Sequence, residues 1–255
     1  MGYALFDRVK GKFIPTPEAN QLFLQVTQVN DSVDRLRQLA ANLRSVEKGT
    51  IRIAATPAFG IDFLPGAIAS YRQQHMDLMF SIETLRHEEL SGALLDRRID
   101  IGLAFDPDNL PGIGGELLGY GGFVVLAPVN VNLPRDGALR LADLTGLPFI
   151  GLDNQGPLDR LLTAHIESSD VELESVAIAG SYGLAKALVS HGVGVAISDE
   201  VTARSGGYDK LVIRKLEPAL KFRISALHVD QEPMSLVCKG FVDHLKHSLQ
   251  QFLQD

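Results

Sequence analysis

From Thr50 onward the sequence alternates between strand-like and helix-like segments, and the alternation restarts at Pro148. The first round has strand-like runs at 51–55, 78–85, 99–105 and 121–127, with helical periodicity over 61–74 and 88–97. The second round has strands at 148–152, 175–179 and 193–198, helices at 157–168 and 182–191, late strands at 210–213 and 222–229, and a closing amphipathic helix at 235–253. Such alternation predicts open, mostly parallel α/β sheets. Two rounds predict two lobes with a cleft between them.

No enzymatic motif accompanies this pattern. The sequence has no GxGxxG stretch between a strand and a helix, no Walker lysine motif, no HExxH and no GxSxG. The glycine-rich stretches 112–115 and 119–122 precede a strand rather than a helix, so we predict that they are turns. His244 and His247 have i,i+3 spacing on the closing helix, but no third metal ligand is apparent. We therefore predict neither a metal site nor a cofactor.

Composition narrows the class of protein further. The chain has 24 Lys and Arg against 31 Asp and Glu, a net charge of −7, which excludes a uniformly basic nucleic-acid-binding surface. The single cysteine, Cys238, leaves no disulfide framework. No apolar run is long enough for a transmembrane helix, and the first residues lack the apolar segment of a signal peptide. We expect a cytoplasmic protein with no membrane partner.

A long helix is predicted ahead of the α/β region. Thr16, Pro17 and Glu18 are the residue types of a helix start, and no Gly or Pro follows before Gly49. Apolar residues then recur in a heptad pattern at Leu22, Val26, Val29, Val33, Leu36, Ala40 and Leu43. This narrow seam favours pairing with the same helix of a second copy. The alternative is a long amphipathic helix packed on its own domain.

Polar residues and helix starts follow the strands, at the edge where open α/β sheets bind ligands. The candidates for a small-molecule site are the residues after the strand ends, namely Thr56, Pro57, Ala58, Phe59, His87, Asp106, Asp153, Asn154, Gln155, Ser181 and Tyr182. Helix N-termini suit carboxylates and other small anions, because they present free N–H groups. Asp106 follows a buried strand and suits a ligand ammonium group.

Each of these candidates also has a purely structural interpretation. Thr56, Asn154 and Ser181 are common N-cap residues whether or not a ligand is present. Asp106 precedes a proline, and Asp-Pro often starts a turn. His87 is as typical of a polar surface as of a cleft. The residues alone leave both interpretations open.

Several segments, taken in order, resemble the LysR-type transcriptional regulators. Residues 5–8 (LFDR) and 14–19 (IPTPEA) are similar to the wing and to the start of the linker helix in that family. Residues 51–54 (IRIA) are similar to the first strand of the effector domain. Two later segments are also similar: residues 94–102 (LLDRRIDIG), with Arg97 where glycine is usual, and residues 188–197 (LVSHGVGVAI), which match the LVxxGxGVAI segment. Each motif alone is weak, but the ordered set spans the whole chain.

The resemblance implies a two-lobed, periplasmic-binding-protein-like α/β region behind a dimerisation helix. The expected divisions are 1–15 for a remnant of the winged helix-turn-helix, 16–48 for the linker helix, 49–127 with 228–255 for lobe I, and 128–227 for lobe II. In the family the base-reading helix precedes the LFDR segment, so this chain resembles a regulator lacking most of its DNA-binding domain. Arg8, Lys10 and Lys12 fall in the wing, where family members touch the phosphate backbone. We expect specific promoter binding only from a full-length form.

The function implied by the resemblance is an allosteric regulator, a homodimer or homotetramer, that senses a small polar effector in the cleft. Residues 8–12 and 56–59 most resemble the branch that senses diaminopimelate or arginine-derived opines, ligands that carry carboxylate and ammonium groups. Two other classes stay open. One is a solute-binding protein, in which the heptad helix has no role. The other is a small-molecule enzyme that uses the same cleft, although the sequence shows no nucleophile, metal or cofactor motif for it.

Overall fold

The computed structural model describes residues 4–9, 11–23, 25–26, 29, 33, 49–107, 111–134, 137–153, 156–206, 210–230 and 233–254. Its front is a hairpin in which strand β1 (Phe6–Val9) pairs antiparallel with strand β2 (Lys12–Pro15). Gly11 lies in the turn with φ +81°, a conformation that glycine adopts without strain. Arg8 pairs with Phe13 across the hairpin, and the Arg8 and Lys12 side chains are exposed.

Helix α1 begins after Thr16, as predicted, and its described helical residues are 17–23, 25–26, 29 and 33. The Thr16 hydroxyl accepts a hydrogen bond from the backbone N–H of Ala19 at 3.2 Å and lies 3.0 Å from the Ala4 carbonyl oxygen. Thr16 therefore acts as the N-cap of α1 and joins the helix to the chain before the hairpin. Of the heptad positions, Leu36, Ala40 and Leu43 lie outside the described residues.

The α/β region follows the predicted order, with shifts of a few residues at most element ends. The exceptions are β6, which begins eight residues before the predicted strand, and the short helix α2, which lies where the sequence predicted a break. The strands are β3 (Thr50–Ala55), β4 (Met79–Thr84), β5 (Ile101–Phe105), β6 (Ile113–Pro128), β7 (Phe149–Leu152), β8 (Ser175–Ala179), β9 (Ala196–Asp199), β10 (Leu211–Lys215) and β11 (Lys221–Val229). The helices are α2 (Pro57–Gly60), α3 (Phe63–Arg72), α4 (His87–Leu95), α5 (Pro157–Glu167), α6 (Tyr182–Ser190), α7 (Glu200–Arg204) and α8 (Leu236–Phe252). Helix α7 was not predicted, because a five-residue helix is too short to show a periodic apolar pattern.

The main sheet is mixed rather than mostly parallel. Its strand order is β10-β6-β11-β5-β3-β4, and β9 also pairs with β6. Strand β3 is parallel to β4 and β5, as predicted, but β11 is antiparallel to β5 and β6, and β6 is antiparallel to β9 and β10. The expectation of a mostly parallel sheet was wrong for these strands, because an apolar run does not show in which direction its strand pairs.

Strand β6 divides the α/β region into two halves. Its beginning pairs with β11, and its end, from Phe123, pairs with β9 and β10. The first half comprises β3–β5, β11 and the beginning of β6, with helices α2–α4 and α8. The second half comprises the end of β6, β9, β10 and the parallel pair β7–β8, which a bridge from Phe149 to Val195 joins to it, with helices α5–α7.

The prediction that the two glycine-rich stretches are turns was wrong for most of their residues. Gly112 lies in a turn with φ +79°, but Gly114, Gly115, Gly119, Gly121 and Gly122 lie within β6. At Gly121 a Cβ atom would lie 2.6 Å from the ring of Phe222. Glycine at this position allows β6 to lie directly against the core ring. The residue is therefore explained by close packing and not by a turn.

Apolar packing fixes the position of the strand ends in the first half. Helices α3 and α8 cover one sheet face, with ring centroids 5.7 Å apart for Phe63 and Phe252 and 5.1 Å apart for Tyr71 and Phe241. Helix α4 covers the other face through Leu90, Ala93 and Leu94, which pack on Ala54, Ala104 and Leu227. Burial of each large side chain stabilises the fold by roughly 1.5–3 kcal/mol. The carboxyl ends of β3–β5 are thereby held at one edge.

The second half has a smaller core of its own. Ala185 and Val189 of α6 are fully buried and pack with Leu126, Ile150 and other apolar residues of the strands. Leu158 and Leu162 of α5 are also buried. In the described part of the chain, no helix is both long and apolar enough to cross a membrane.

Candidate functional site

A cavity of about 430 Å³ lies between the two halves. The first half lines it with the end of β5, with residues that follow β3 and β4, and with the first residues of α2 and α4. The second half lines it with the first residues of α5 and α6 and with Thr202 of α7. The strand ends of both halves thus meet at one hollow, as the position of ligand sites in open α/β sheets predicts.

Most of the candidate residues line this cavity. They are Thr56, Pro57, Ala58, His87, Asp153, Ser181 and Tyr182. Asn154 and Gln155 lie outside the described residues. Phe59 and Asp106 are absent from the described lining, and each has a different role.

Phe59 belongs to the hydrophobic core. It is fully buried, and its ring lies 4.3 Å from that of Phe105 and 6.0 Å from that of Phe63, centroid to centroid. Helix α2 begins at Pro57, and one turn of helix directs Phe59 inward while Ala58 lines the cavity. The expectation of an effector contact from Phe59 is corrected on this ground.

Asp106 is held by an arginine from β11. The Nε atom of Arg223 donates to its carboxylate at 3.0 Å, and the backbone N–H of Asp106 donates to the Arg223 carbonyl at 2.7 Å. Asp106 also adopts φ +36°, in the turn after β5. The expected pairing with a ligand ammonium is therefore replaced by pairing with Arg223. The sequence could not show this, because Arg223 is 117 residues away.

The two hydroxyl residues at helix starts differ. Ser181 is a plain N-cap, since its side chain accepts from the backbone N–H of Leu184 at 3.2 Å. Thr56 occupies the same position before α2 but makes no side-chain cap hydrogen bond. Its Oγ1 atom is buried and has no hydrogen-bond partner among the described residues. Thr56 is therefore the candidate whose functional interpretation the geometry favours. Helix α5, in turn, has Gly156 at its N-cap position.

Several lining residues were not among the predicted effector contacts. Arg86 and Glu88 flank His87 at the start of α4, Asp159 lies in the first turn of α5, and Thr202 lies in α7. The position of Asp159 in the first turn of a predicted helix could have indicated a ligand contact, but an acidic residue there is ordinarily explained by the helix dipole. Nothing in the local sequence pointed to Thr202, because α7 itself was not predicted.

Tyr182 lies near Asp159 at the cavity wall. Burial, and then the charge of the nearby Asp159 carboxylate, raise the pKa of the Tyr182 hydroxyl far above its usual range. The phenol therefore stays protonated and can act as a donor near the cavity wall.

A buried polar network supports the second-half wall from behind. The Nζ atom of Lys186 donates to the carbonyl oxygens of Thr202 at 3.1 Å, Ala203 at 2.8 Å and also Ser205. Burial lowers the pKa of Lys186, which the charge of Asp199 partly offsets. The carbonyls at the end of α7 are thereby satisfied by a single buried cation.

The network continues to Asp199 and across to the first half. The buried Asp199 carboxylate accepts from the backbone N–H of Thr202 at 2.7 Å, and burial raises the pKa of Asp199 to about 6. Beyond α7, the backbone N–H of Gly206 donates to the Asp62 carboxylate at 3.0 Å. Asp62 lies between α2 and α3, so this bond joins the two halves beside the cavity.

The arrangement is suited to holding a small polar molecule between two walls. Helix starts, hydroxyls and charged side chains converge on a hollow that has apolar lining from Ala58, Ile61, Phe105 and Leu158. In the described part of the chain, no group of three or more His, Cys, Asp and Glu side chains is arranged to hold a metal ion. Fold and cavity together define a two-part ligand-binding α/β protein.

Comparison with known proteins identifies the family. The model of the LysR substrate binding domain matches residues 44–250. The chain is 32% identical over 249 residues to the HTH-type transcriptional regulator DgcR of a Pseudoalteromonas species, covering 98% of this chain and 86% of that protein. It is 27% identical over 250 residues to the transcriptional activator protein LysR of Escherichia coli K12, covering 98% and 80%. This chain therefore belongs to the LysR-type transcriptional regulators.

Solved structures support the fold assignment. The crystal structure of HinK, a LysR family transcriptional regulator from Pseudomonas aeruginosa, matches with a TM-score of 0.69 at 21% identity, over 92% of this chain and 81% of that chain. The α/β region thus has the two-part, periplasmic-binding-protein-like fold of the effector domains of this family.

Proposed function

We propose that this LysR-type regulator senses a small amino-acid-like metabolite, with at least one carboxylate and one ammonium group, in the cavity between its two halves. Diaminopimelate, lysine, arginine and the arginine-derived opines are the first candidates. The observation that carries the proposal is the cavity of about 430 Å³, which both halves line with polar groups. Its volume falls in the usual range for small-ligand sites, roughly 300–1,000 Å³.

The unpartnered Thr56 hydroxyl adds to this support. A buried hydroxyl without a hydrogen bond costs on the order of 1–3 kcal/mol, so a ligand that supplies the bond gains affinity there. A ligand that contacts both walls also favours their approach. The two halves are the proposed moving lobes, and β6 runs from one half into the other. The expected boundaries, 127/128 and 227/228, fall inside β6 and β11, so the lobes divide instead near Phe123 and ahead of β11, which lies wholly in the first half. Such coupling requires that the effector bind one arrangement of the lobes more tightly than the other.

Thermal and chemical unfolding of the full chain with each candidate ligand tests the proposal. An effector at about 100 times its Kd stabilises the native state by about 2.7 kcal/mol. We expect at least one amino-acid-like compound to do so, without turnover of that compound over hours. Consumption of the ligand would favour the enzyme alternative. Stabilisation by neutral sugars alone would contradict the proposed ligand class.

The heptad helix supports a homodimer or homotetramer. Val26, Val29 and Val33 are 54%, 64% and 39% exposed in the single chain, and Leu22 is half-buried. Four consecutive seam positions along one helix match what a paired helix would cover. A second copy of the same helix is the proposed occupant.

Light scattering of a Val26→Glu, Val29→Glu double variant tests this pairing. Burying two carboxylates in a seam is costly, so we expect a clear fall in oligomeric mass. The control is Gln21→Glu with Gln25→Glu, two exposed positions of the same helix outside the seam. An unchanged mass in the valine variant would contradict the pairing.

The remaining parts of the proposal concern DNA and location. Arg8 and Lys12 are exposed on the front hairpin, where they are available to contact phosphates; Lys10 lies outside the described residues. We place the protein in the cytoplasm, with promoter DNA as the partner of a full-length form only and binding rather than catalysis as its activity. In a full-length form, a salt-dependence of DNA binding that is unchanged in Arg8→Gln, Lys12→Gln would contradict the backbone contacts.

A further inference from the structure

Asp62 joins the two halves of the α/β region from a position beside the cavity. It lies between α2 and α3, next to Ile61 of the cavity lining, and is itself absent from the described lining. The carboxylate of the half-buried Asp62 accepts a hydrogen bond at Oδ2 from the backbone N–H of Gly206, at 3.0 Å and across 144 positions of sequence. Asp62 also occupies the N-cap position of α3, but its side chain makes no cap hydrogen bond there. The carboxylate therefore serves a contact with the second half instead of its own helix.

The backbone that Asp62 contacts is held from within the second half by Lys186. The Nζ atom of Lys186 donates to the carbonyl oxygen of Gly206 at 3.3 Å and also to that of Ser205. Burial lowers the pKa of Lys186, and the charges of Asp199 and then Asp62 counteract this change. The Ser205 carbonyl and the Gly206 N–H belong to one peptide group, with the cation at one end and the anion of Asp62 at the other. Both charges polarise this group in the same sense, so the two hydrogen bonds strengthen each other.

The elements that carry this contact also line the cavity. Helix α6 carries Lys186 and lines the cavity at its start with Tyr182. Ile61, next to Asp62, reaches the same helix, since a Cβ atom on Gly183 would lie 3.8 Å from the Cδ1 atom of Ile61. A change in the distance between the Asp62 segment and α6 therefore moves lining residues of both halves relative to each other.

We propose that Asp62 is a positioning residue, whose hydrogen bond to Gly206 holds the two cavity walls at the separation at which both contact the effector. Asp62 acts on the effector through this separation and not by touching it. Loss of the bond raises the population of other arrangements, and the apparent affinity falls with the fraction of chains left in the binding arrangement. The effect on affinity rests on the proposed function, whereas the effect on the separation of the halves does not.

The distance between two spin labels, one in each half, tests the effect on separation. The labels are attached at Lys246→Cys on α8 and Ala164→Cys on α5, two exposed positions, in a chain whose own buried thiol is removed by Cys238→Ala. Labelled chains are diluted with an excess of unlabelled chains, so that double electron–electron resonance measures distances within one chain even in an oligomer.

Asp62→Ala removes the hydrogen bond between the halves. We expect the ratio of other label distances to the wild-type distance to rise by about 5-fold or more, since the net loss of one partly solvent-accessible hydrogen bond corresponds to roughly that factor. Asp62→Asn keeps an oxygen that can accept from Gly206 but removes the charge facing Lys186. Its distance distribution should lie between those of wild type and Asp62→Ala, which is a rescue that general destabilisation does not produce.

Asp143→Ala is the matched control. Asp143 is half-buried like Asp62 and accepts from the backbone N–H of Arg140 at 2.8 Å, but both partners lie in the short segment between β6 and β7. The variant therefore loses the same kind of bond within one half and should keep the wild-type label distance. If Asp62→Ala does not fold by circular dichroism, Asp62→Asn is compared with Asp143→Asn instead.

Calorimetry of the unlabelled proteins supplies the second readout. The probes are diaminopimelate, lysine, arginine and an arginine-derived opine. For each probe that binds the wild-type chain, Asp62→Ala should bind about two- to fivefold more weakly, because the loss cannot exceed the change in the ratio of arrangements. Asp143→Ala should bind as the wild-type chain does.

The outcomes separate the role of Asp62 from the proposed function. A wider distance distribution and weaker binding in Asp62→Ala, with neither in Asp143→Ala, support the positioning role. An unchanged distribution in Asp62→Ala, or a wider one with undiminished affinity, overturns that role and leaves the proposed function standing. If the wild-type chain binds none of the four probes, the proposed ligand class fails, and the distance comparison alone decides whether Asp62 sets the separation of the halves.

Discussion

Two strand-to-helix turns border the cavity from opposite halves, and they use the same kind of residue differently. In the β8–α6 turn, the Ser181 hydroxyl is occupied by the backbone N–H of Leu184. In the β3–α2 turn, the Thr56 hydroxyl caps nothing and is buried at the cavity. A cap residue type thus marks where a helix begins, but it does not show whether its side chain is free for a ligand.

The two halves also differ in the hydrogen bonds that support the cavity wall on each side. Behind the second-half wall, Lys186 ties together the end of α7, and the buried Asp199 caps its beginning. On the first-half side, Thr56 belongs to a turn whose following helix has four residues and no side-chain cap. The second wall is thus held by more buried hydrogen bonds, which agrees with the proposal that the Thr56 hydroxyl of the first wall binds the ligand.

The largest expected effect is on the buried lysine. Lys186→Met keeps the length of the side chain but leaves the carbonyls at the end of α7 and the Asp199 charge without their cation. We expect a loss of about 3 kcal/mol or more in the free energy of unfolding, measured with urea. Lys239→Met, at an exposed position of α8, should change stability by no more than about 0.5 kcal/mol. Equal stability of the two variants would contradict a rigid second wall.

A smaller effect is expected from the pH dependence of Asp199. Burial raises the pKa of Asp199 to about 6 in the folded protein, above an unfolded value of about 3.9. The folded state therefore binds more protons than the unfolded state between these values, and this contribution to stability is full below pH ~4 and lost as the pH rises through ~6.

Asp199→Asn removes that titration while keeping an oxygen acceptor for Thr202. Relative to the variant, the wild-type free energy of unfolding should fall by about 2–3 kcal/mol between pH ~4 and ~7, measured by urea unfolding at each pH. A difference between the two proteins that is independent of pH would show that Asp199 is not buried as described.

The smallest effects come from the two turns themselves. Ser181→Ala removes a helix cap and should lower the free energy of unfolding by about 1 kcal/mol. Thr56→Val removes a hydroxyl that makes no hydrogen bond to the described residues, so stability should stay within about 0.5 kcal/mol or rise, while affinity for the effector falls. Thermal unfolding and calorimetry of both variants test the contrast. A Thr56→Val protein as destabilised as Ser181→Ala would remove the distinction between the turns.

Local patterns accounted for most of the elements. The apolar periodicity placed all nine strands from β3 to β11 and the longer helices, and Thr16 and Ser181 were recognisable as helix starts from their residue type. These features are local, because the spacing of apolar residues along a helix or a strand shows which of its faces is buried. For the same reason, seven of the proposed effector-contacting residues line the cavity.

Most of the errors concern contacts between distant segments. Asp106 is paired by Arg223, and Gly121 lies in a strand because Phe222 packs against it; both partners belong to β11. Thr202 reaches the cavity on α7, a helix too short to leave a periodic signal. The register and the direction of the paired strands bring such residues together, and neither can be predicted from the local sequence. Phe59 differs, since its inward direction follows from one turn of helix after Pro57.

A crystal structure of the chain with the amino-acid-like compound that stabilises it most tests the central claim. The account predicts that compound between the two halves, its carboxylate within hydrogen-bond distance of the Thr56 hydroxyl. A ligand bound outside this cavity, or seated in it without contact to Thr56, would contradict the account.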